Sequence, residues 1–441
     1  MANLEVGLVA FTSSDGPVAS GPDDWLLAKD FGDASGDACC SLLYGNKPEF
    51  YLCALHLGFQ LRTFNPLISR EHLAEGARLG LPERVLLLGP SQYRGPEYRE
   101  ALYRAGWTRV VHVGAISGAH LSGTKRHNEI FTKLRAFLLP YKRVLFLDLD
   151  LLLRKSPKVL FEVEAPAGKF HDPDHCWPEY DPDKPKTHKG GPAHGERFDA
   201  PRRLPKEAMR EGFGGWCVNC GVFRFDPLPR RKERYEQVDE WIRCIHAQRG
   251  QTRSMLPEQH FLAEHLTAWH HLAGRWNVET IDFARWAREK ALQSACVLHF
   301  SGKDGFNEPW AFLDKGISDP GRDTETRKRD LDEYEAEVQT WYDKHSTLLD
   351  TRTASGKVVA PLFKEWREVL DELRVEAAFW EGQWGYEKGA RARDALEEAV
   401  KEVAGEAPQR RQRALQKLEY YQDRDSDKKR QRVAAAHNER R

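Results

Sequence analysis

Two carboxylates two residues apart, Asp148 and Asp150, close an unbroken apolar run in Arg143-Val-Leu-Phe-Leu-Asp148-Leu-Asp150-Leu-Leu-Leu. Such a run reads as a buried strand, and alternate side chains of a strand share one face. The two carboxylates therefore converge on one spot while Leu149 points into the core. Charges taken out of water are costly unless they are paired or hold a metal. Two hard oxygen donors at the carboxyl end of an α/β strand suit a divalent cation bound to a phosphate. The bare Asp-x-Asp pattern recurs, starting at Asp148, Asp172, Asp181, Asp330, Asp423 and Asp425. Only the first follows an apolar run, so context selects it. The plain alternative is a solvated strand end, and spacing alone leaves both open.

The elements that must position these acids alternate between strand and helix. Residues 40–44 read as a strand and Gly45-Asn46-Lys47-Pro48 as a turn. Residues 51–58 have helical periodicity, 85–88 read as a strand, 97–105 as a helix and 109–113 as a strand. A helix over 128–139 delivers the chain to the Asp148 strand. Further on, 216–225 read as a strand, 231–248 as a helix, and a helix from near Pro257 carries Glu258 and Gln259 in its first turn. Residues 296–300 form a last strand. This alternation predicts an α/β architecture with a mostly parallel sheet.

Three stretches depart from the pattern. Residues 1–40 combine a short run that reads as a strand, 6–11, with a Gly/Asp/Ser-rich segment. Residues 166–212 hold many Pro, Gly, His and charged residues and read as a long surface insertion. His171, His175, Cys176, His188 and His194 lie in it; a loop with solvated histidines fits that composition better than a zinc site. From about residue 319 the chain is helical and strongly charged, over 324–348, 359–379 and 390–403, with a tail from Gln409 expected to be solvated or frayed. Within it, Lys428-Lys-Arg-Gln-Arg432 reads as a charged terminus before it reads as a nuclear signal or anionic-partner patch. The expected division is an N-terminal segment (1–40), an α/β domain (41–313, with the 166–212 insertion) and a helical extension (314–441).

Lys+Arg and Asp+Glu both number 67. That balance gives no pull towards nucleic acid or a membrane surface. No apolar run approaches the roughly 20 residues of a membrane span, and the N-terminus lacks signal-peptide character. A soluble, cytoplasmic protein is the expectation. The eight cysteines are scattered, as reduced thiols would be rather than a disulfide framework. Cys217-Val-Asn-Cys220 has no second pair at zinc spacing and leads into an apolar strand.

Four separated pieces line up: an early strand with a Tyr-bearing helix start, the Asp148-x-Asp150 strand end, Asn219-Cys220-Gly221 followed by Glu258-Gln259, and His299-Phe300-Ser301-Gly302. In this order they resemble the glycosyltransferase family 8 enzymes of the glycogenin type, over residues 41–313. The resemblance implies the GT-A nucleotide-diphospho-sugar transferase fold, a mostly parallel Rossmann-like mixed sheet, here with a C-terminal helical extension. It implies transfer of a hexose from a UDP-sugar to an acceptor hydroxyl, with retention. On this resemblance Leu43, Tyr44, Gly45 and Tyr51 hold the uracil and ribose, and Lys133 reaches the nucleotide sugar. Asp148, Asp150 and His299 are the metal ligands. Asn219, Cys220 and Gly221 line the sugar site, Glu258 and Gln259 stand beside the transferred sugar, and Gly302 and Lys303 lie on the diphosphate loop. Lys133, Glu258 and Gln259 form the implied catalytic set. Gln259 is the nearest candidate nucleophile, but an amide is a poor one, so attack assisted by the leaving group on the same face is expected.

The chemistry of these residue types agrees. A metal held by two carboxylates neutralises a leaving diphosphate as a Lewis acid. An added imidazole favours Mn²⁺ over Mg²⁺. Lys133 and Lys303 would add positive charge at the leaving group, and Asn219 and Gln259 carry amides suited to sugar hydroxyls. Each residue also has a plain alternative: a structural His299, a surface Lys133, a core Tyr51, and an Asn219 that bonds nearby backbone. Two departures stand out. Glu308 precedes Pro309-Trp310 where the family has Lys, and Glu258 replaces Asp.

A nucleotidyltransferase of similar architecture and an inactive transferase-like scaffold are the rival readings. The acceptor is left open among a sugar, a polyol, a protein side chain and the chain's own tyrosine; so is a homodimer. Because the α/β part has its own strands, helices and ligand set, it is expected to bind UDP without the extension. Trp341, Trp366, Trp380 and Trp384 are the groups that would tie the two together.

Overall fold

A computed structural model describes residues 36–45, 47–65, 81–90, 95–121, 129–171, 194–198, 217–247, 257–279, 294–301, 308–314, 321–346, 356–380 and 386–438. The expected early strand at 6–11, most of 166–212, and Gly302 and Lys303 lie outside these residues.

β1 (Asp37–Leu43) is buried along almost its whole length, as suits a central strand covered on both faces. α1 (Pro48–Phe64) starts on Pro48, with Glu49 in its first turn near the positive helix end. It is buried on every side from Tyr51 to Leu61, which makes it an interior helix rather than an amphipathic one. β2 (Glu83–Leu88), α2 (Pro96–Ala105) and β3 (Arg109–His112) follow. The helix expected over 128–139 is wound as a 3-10 segment, Ile130–Leu138, and only Arg135 of its nine residues is not buried. It delivers the chain to β4 (Arg143–Leu147), and β5 (Leu151–Leu153) comes three residues later.

β6 (Ala167–His171) and β7 (Arg197–Phe198) precede the long β8 (Cys217–Phe225). Then come α3 (Arg231–Ala247), α4 (Pro257–His265), β9 (Trp269–His271), β10 (Val278–Glu279) and β11 (Val297–His299). Eight strands form one mixed sheet in the order β3-β2-β1-β4-β8-β6-β9-β7, and β10-β11-β5 form a second, small sheet. β3, β2, β1 and β4 run parallel, with Cys40 opposite both Val85 and Phe146. β8 runs antiparallel to β4, with Leu147 opposite Val222. The architecture is therefore α/β, as the strand–helix alternation predicts. The segment read as an insertion opens with a sheet strand: β6 pairs with both β8 and β9. His194, expected to be solvated, accepts a hydrogen bond from Ala273 N at 3.1 Å.

Three helices follow among the described residues: α5 (Thr324–Lys344), α6 (Gly356–Ala377) and α7 (Tyr386–Asn438). The tail read as frayed from Gln409 continues α7 as helix, and Arg411 and Ala414 are buried. One apolar core runs from Tyr51 and Leu151 through Trp310 to Trp366 and Trp380. Ion pairs between Arg154 and Glu365 (2.6 Å) and between Arg410 and Glu49 (2.5 Å), and a hydrogen bond from Arg411 to Ala311 O, tie the helices to the α/β part. The extension thus shares the α/β core instead of hanging from it. No helix among the described residues is long and apolar enough to cross a membrane. Among the described residues, Cys39, Cys40, Cys53, Cys220, Cys244 and Cys296 are free thiols.

Candidate active site where two sheets meet

β4 leaves the main sheet at Asp148, whose N–H donates to Gly221 O of β8 at 2.7 Å. Two residues on, Asp150 O accepts from Phe300 N at 2.8 Å, and β5 pairs with β11 so that Leu151 faces His299. Asp148-Leu149-Asp150 is therefore the crossover between two sheets, not the interior of one strand. The crossover still brings both carboxylates together and buries Leu149. It adds the imidazole: His299 Nε2 lies 3.2 Å from Asp150 Oδ1 and 3.9 Å from Asp148 Oδ2. One donor atom from each of the three lies within 4.8 Å of the others.

Lys133 is placed by the 3-10 segment and is almost fully buried. Its Nζ lies 3.0 Å from Asp148 Oδ1 and 3.9 Å from Glu258 Oε1, and it donates to Cys220 O at 3.3 Å. Asp148 is thus shared, with Oδ1 towards Lys133 and Oδ2 towards His299. Burial alone would lower the Lys133 pKa, but Asp148 and Glu258 outweigh it and hold the ammonium above its ordinary value. Burial raises Glu258, with Lys133 acting against it and Asp148 with it. Glu258 Oε2 is buried without a hydrogen-bond partner. Burial also opposes a charged His299, yet Asp150 and then Asp148 win and raise its pKa. The surface reading of Lys133 gives way to this buried, paired ammonium.

Other expected residues are distributed unevenly. Gln259 Oε1 accepts from Cys220 N at 3.3 Å, so α4 is braced against β8. Asn219 Oδ1 accepts from Gly221 N at 2.8 Å and from Asn277 Nδ2 at 2.7 Å. Leu43 is fully buried at the end of β1. Tyr44 and Gly45 follow it, partly exposed, and Tyr44 stacks near Phe50. Because β1 and β4 are parallel neighbours, Tyr44-Gly45 and Asp148-Asp150 emerge at the same sheet edge. Tyr51 instead points into the core, 1% exposed, and its hydroxyl donates to Tyr98 O at 2.8 Å. Glu308, which the resemblance sets against a lysine, accepts from Trp310 Nε1 at 2.9 Å.

Asn277 was not foreseen. It is fully buried and its Oδ1 meets His299 Nδ1 at 2.9 Å. A single Asn in Arg275-Trp-Asn-Val278 has no pattern that would mark it.

Two carboxylates and an imidazole on one spot, beside an ammonium already paired, form a donor set that fits a divalent cation. No model of a known protein family matches this chain, and no curated protein does. Solved structures show similarity at low identity. A galactosyltransferase, LgtC, in complex with donor and acceptor sugar analogues, is 13% identical with a TM-score of 0.39, covering 68% of this chain and 95% of its own. The glycosyltransferase GlyE of Streptococcus pneumoniae TIGR4 is 14% identical with a TM-score of 0.35, covering 70% and 64%. Mouse xyloside xylosyltransferase 1 is 14% identical with a TM-score of 0.32, covering 61% and 98%.

Proposed function

We propose that this chain is a metal-dependent glycosyltransferase of the GT-A, family 8 type. In this reading it transfers a hexose from a UDP-sugar to an acceptor hydroxyl, with retention. The observation that carries this reading is the convergence of Asp148, Asp150 and His299 on one spot, with Lys133 and Glu258 alongside.

Asp148, Asp150 and His299 would hold the cation, Mn²⁺ by the mixed oxygen and nitrogen donors. When bound, such a cation supplies positive charge to a leaving diphosphate. Lys133 keeps its proton and fixes the Asp148 carboxylate by one oxygen, leaving the other for the cation. Tyr44 and Gly45, at the same sheet edge, would meet the nucleotide, whereas Tyr51 is turned into the core. Asn219 Oδ1 is held by Gly221 and Asn277, which leaves its Nδ2 to donate to a sugar hydroxyl. Glu258 would stand beside the transferred sugar, 3.9 Å from the Lys133 ammonium. Gln259 braces β8, so it acts by shape and hydrogen bonding, not as a nucleophile. Attack from the face the diphosphate leaves agrees with that role.

The test is thermal denaturation of the full chain against a panel of nucleotide sugars, with and without Mn²⁺. Stabilisation by UDP-hexoses that needs Mn²⁺ supports the reading. Equal stabilisation by nucleoside triphosphates would favour a nucleotidyltransferase.

A further inference from the structure

We infer that Asn277 is a positioning residue that selects the tautomer of His299 and so presents Nε2 to the cation. The inference rests on the proposed metal site. Its geometry is set by a group that can act in only one way, the backbone N–H of Gly221. That N–H donates to Asn219 at 2.8 Å, so the atom it meets is the amide oxygen, Oδ1. The same oxygen lies 2.7 Å from Asn277, which must therefore offer its amide nitrogen, Nδ2. Asn277 then turns its Oδ1 towards His299 Nδ1 at 2.9 Å, and an oxygen there requires a proton on Nδ1. Nε2 is left facing Asp150 and Asp148. The orientation of every side chain in the relay follows from one peptide group.

The relay has no slack. Asn219, Asn277 and His299 are all buried, and Asn277 is fully so. Gly221 is part of the same device. Its carbonyl fixes the Asp148 backbone, and a Cβ added to it would run into the His299 ring. One residue thereby sets the backbone of one ligand, the ring position of a second and, through two amides, its tautomer. A partner that fixes the second ring nitrogen of a ligating histidine typically changes metal affinity by about 10–100-fold.

The experiment measures Mn²⁺ binding by electron paramagnetic resonance on the full chain, for the wild type, Asn277→Leu and Asn277→Asp. A buried, protonated Asp retains both the acceptor for the Nδ1 proton and a donor to Asn219 Oδ1, and Leu has neither. The expected result is at least about tenfold weaker binding for Asn277→Leu, with Asn277→Asp within about threefold of the wild type. Equal binding by folded Asn277→Leu and wild type overturns the inference and leaves the metal site standing. So does an Asn277→Asp protein that is folded yet as weak as the Leu variant. A wild type that binds no Mn²⁺ overturns the metal site, and the inference with it. Should Asn277→Leu not fold, ring ¹⁵N shifts of the Zn²⁺-loaded wild type decide, with His299 assigned by its loss in His299→Gln. A proton on Nδ1 and a metal on Nε2 support the inference, and the reverse overturns it.

Discussion

His56 and Trp366 are 310 residues apart in the chain and stacked in the fold, their ring centroids 4.6 Å apart. His56 Nε2 donates to Trp366 O at 3.0 Å, and Nδ1 accepts from Gln60 Nε2 at 2.9 Å. Gln60 Oε1 in turn accepts from Leu153 N. A buried polar chain thus links α6 to the strand that follows Asp150. It needs a neutral His56, and burial pushes the pKa of that ring down to about 3, with the Trp366 carbonyl working the other way. A base depressed in the folded state binds fewer protons there than in the unfolded chain. Its stabilisation is complete above the ordinary value of 6.5 and is lost as pH falls towards 3. Denaturant unfolding of the wild type and His56→Gln measures this. The stability gap between them should narrow by about 2 kcal/mol on going from about pH 7.5 to about pH 5. Parallel pH curves would contradict the neutral, buried assignment.

Truncation after residue 320 is expected to give an insoluble or molten product, against the sequence expectation of a separate UDP-binding unit. The fragment would expose Trp310, which packs on Trp366 at 6.0 Å, and Phe312, which packs on Trp341 at 5.1 Å. Each large side chain returned to water costs on the order of 2–3 kcal/mol. Near-ultraviolet circular dichroism of the fragment is the check. A soluble monomer with sharp aromatic signals would show that the α/β part folds alone.

Lys133→Met should destabilise the protein by about 3–5 kcal/mol, because it leaves Glu258 and Asp148 without their buried cation. Adding Glu258→Gln should recover a large part of that loss, since the charge left unpaired is then gone. A double-mutant cycle on unfolding free energies reads the coupling directly. Strict additivity of the two changes would mean that Lys133 and Glu258 do not interact.

Much of this was legible in sequence because apolar runs mark buried strands and the acids close one of them. Asp148 and Asp150 announce themselves in that way. That their convergence comes from a crossover between sheets was not visible, since β5 looks like a continuation of β4. Tyr51 could be matched to a ribose contact by motif, but only the packing of α1 shows its hydroxyl turned to Tyr98. The helices of 314–441 read as an appendage because charge dominates their composition. Their tryptophans, spaced along helices with few other markers, do not reveal which surface they cover. Asn277 was invisible because tautomer control needs a single amide at a spatial position, and no spacing rule encodes that.

The proposed function stands on a divalent cation at Asp148, Asp150 and His299 acting on a UDP-sugar. Asp150→Asn is the cleanest probe, because Asp148 also holds the buried Lys133 and its loss would disturb the fold. The measurement is UDP release from UDP-hexoses by the full chain as Mn²⁺ is titrated, for the wild type and for Asp150→Asn with an unchanged melting temperature. Wild-type release should saturate with Mn²⁺ and vanish with a chelator, and the variant should need at least about tenfold more Mn²⁺. Release that persists in chelator, or an Asp150→Asn titration that overlays the wild type, would contradict it.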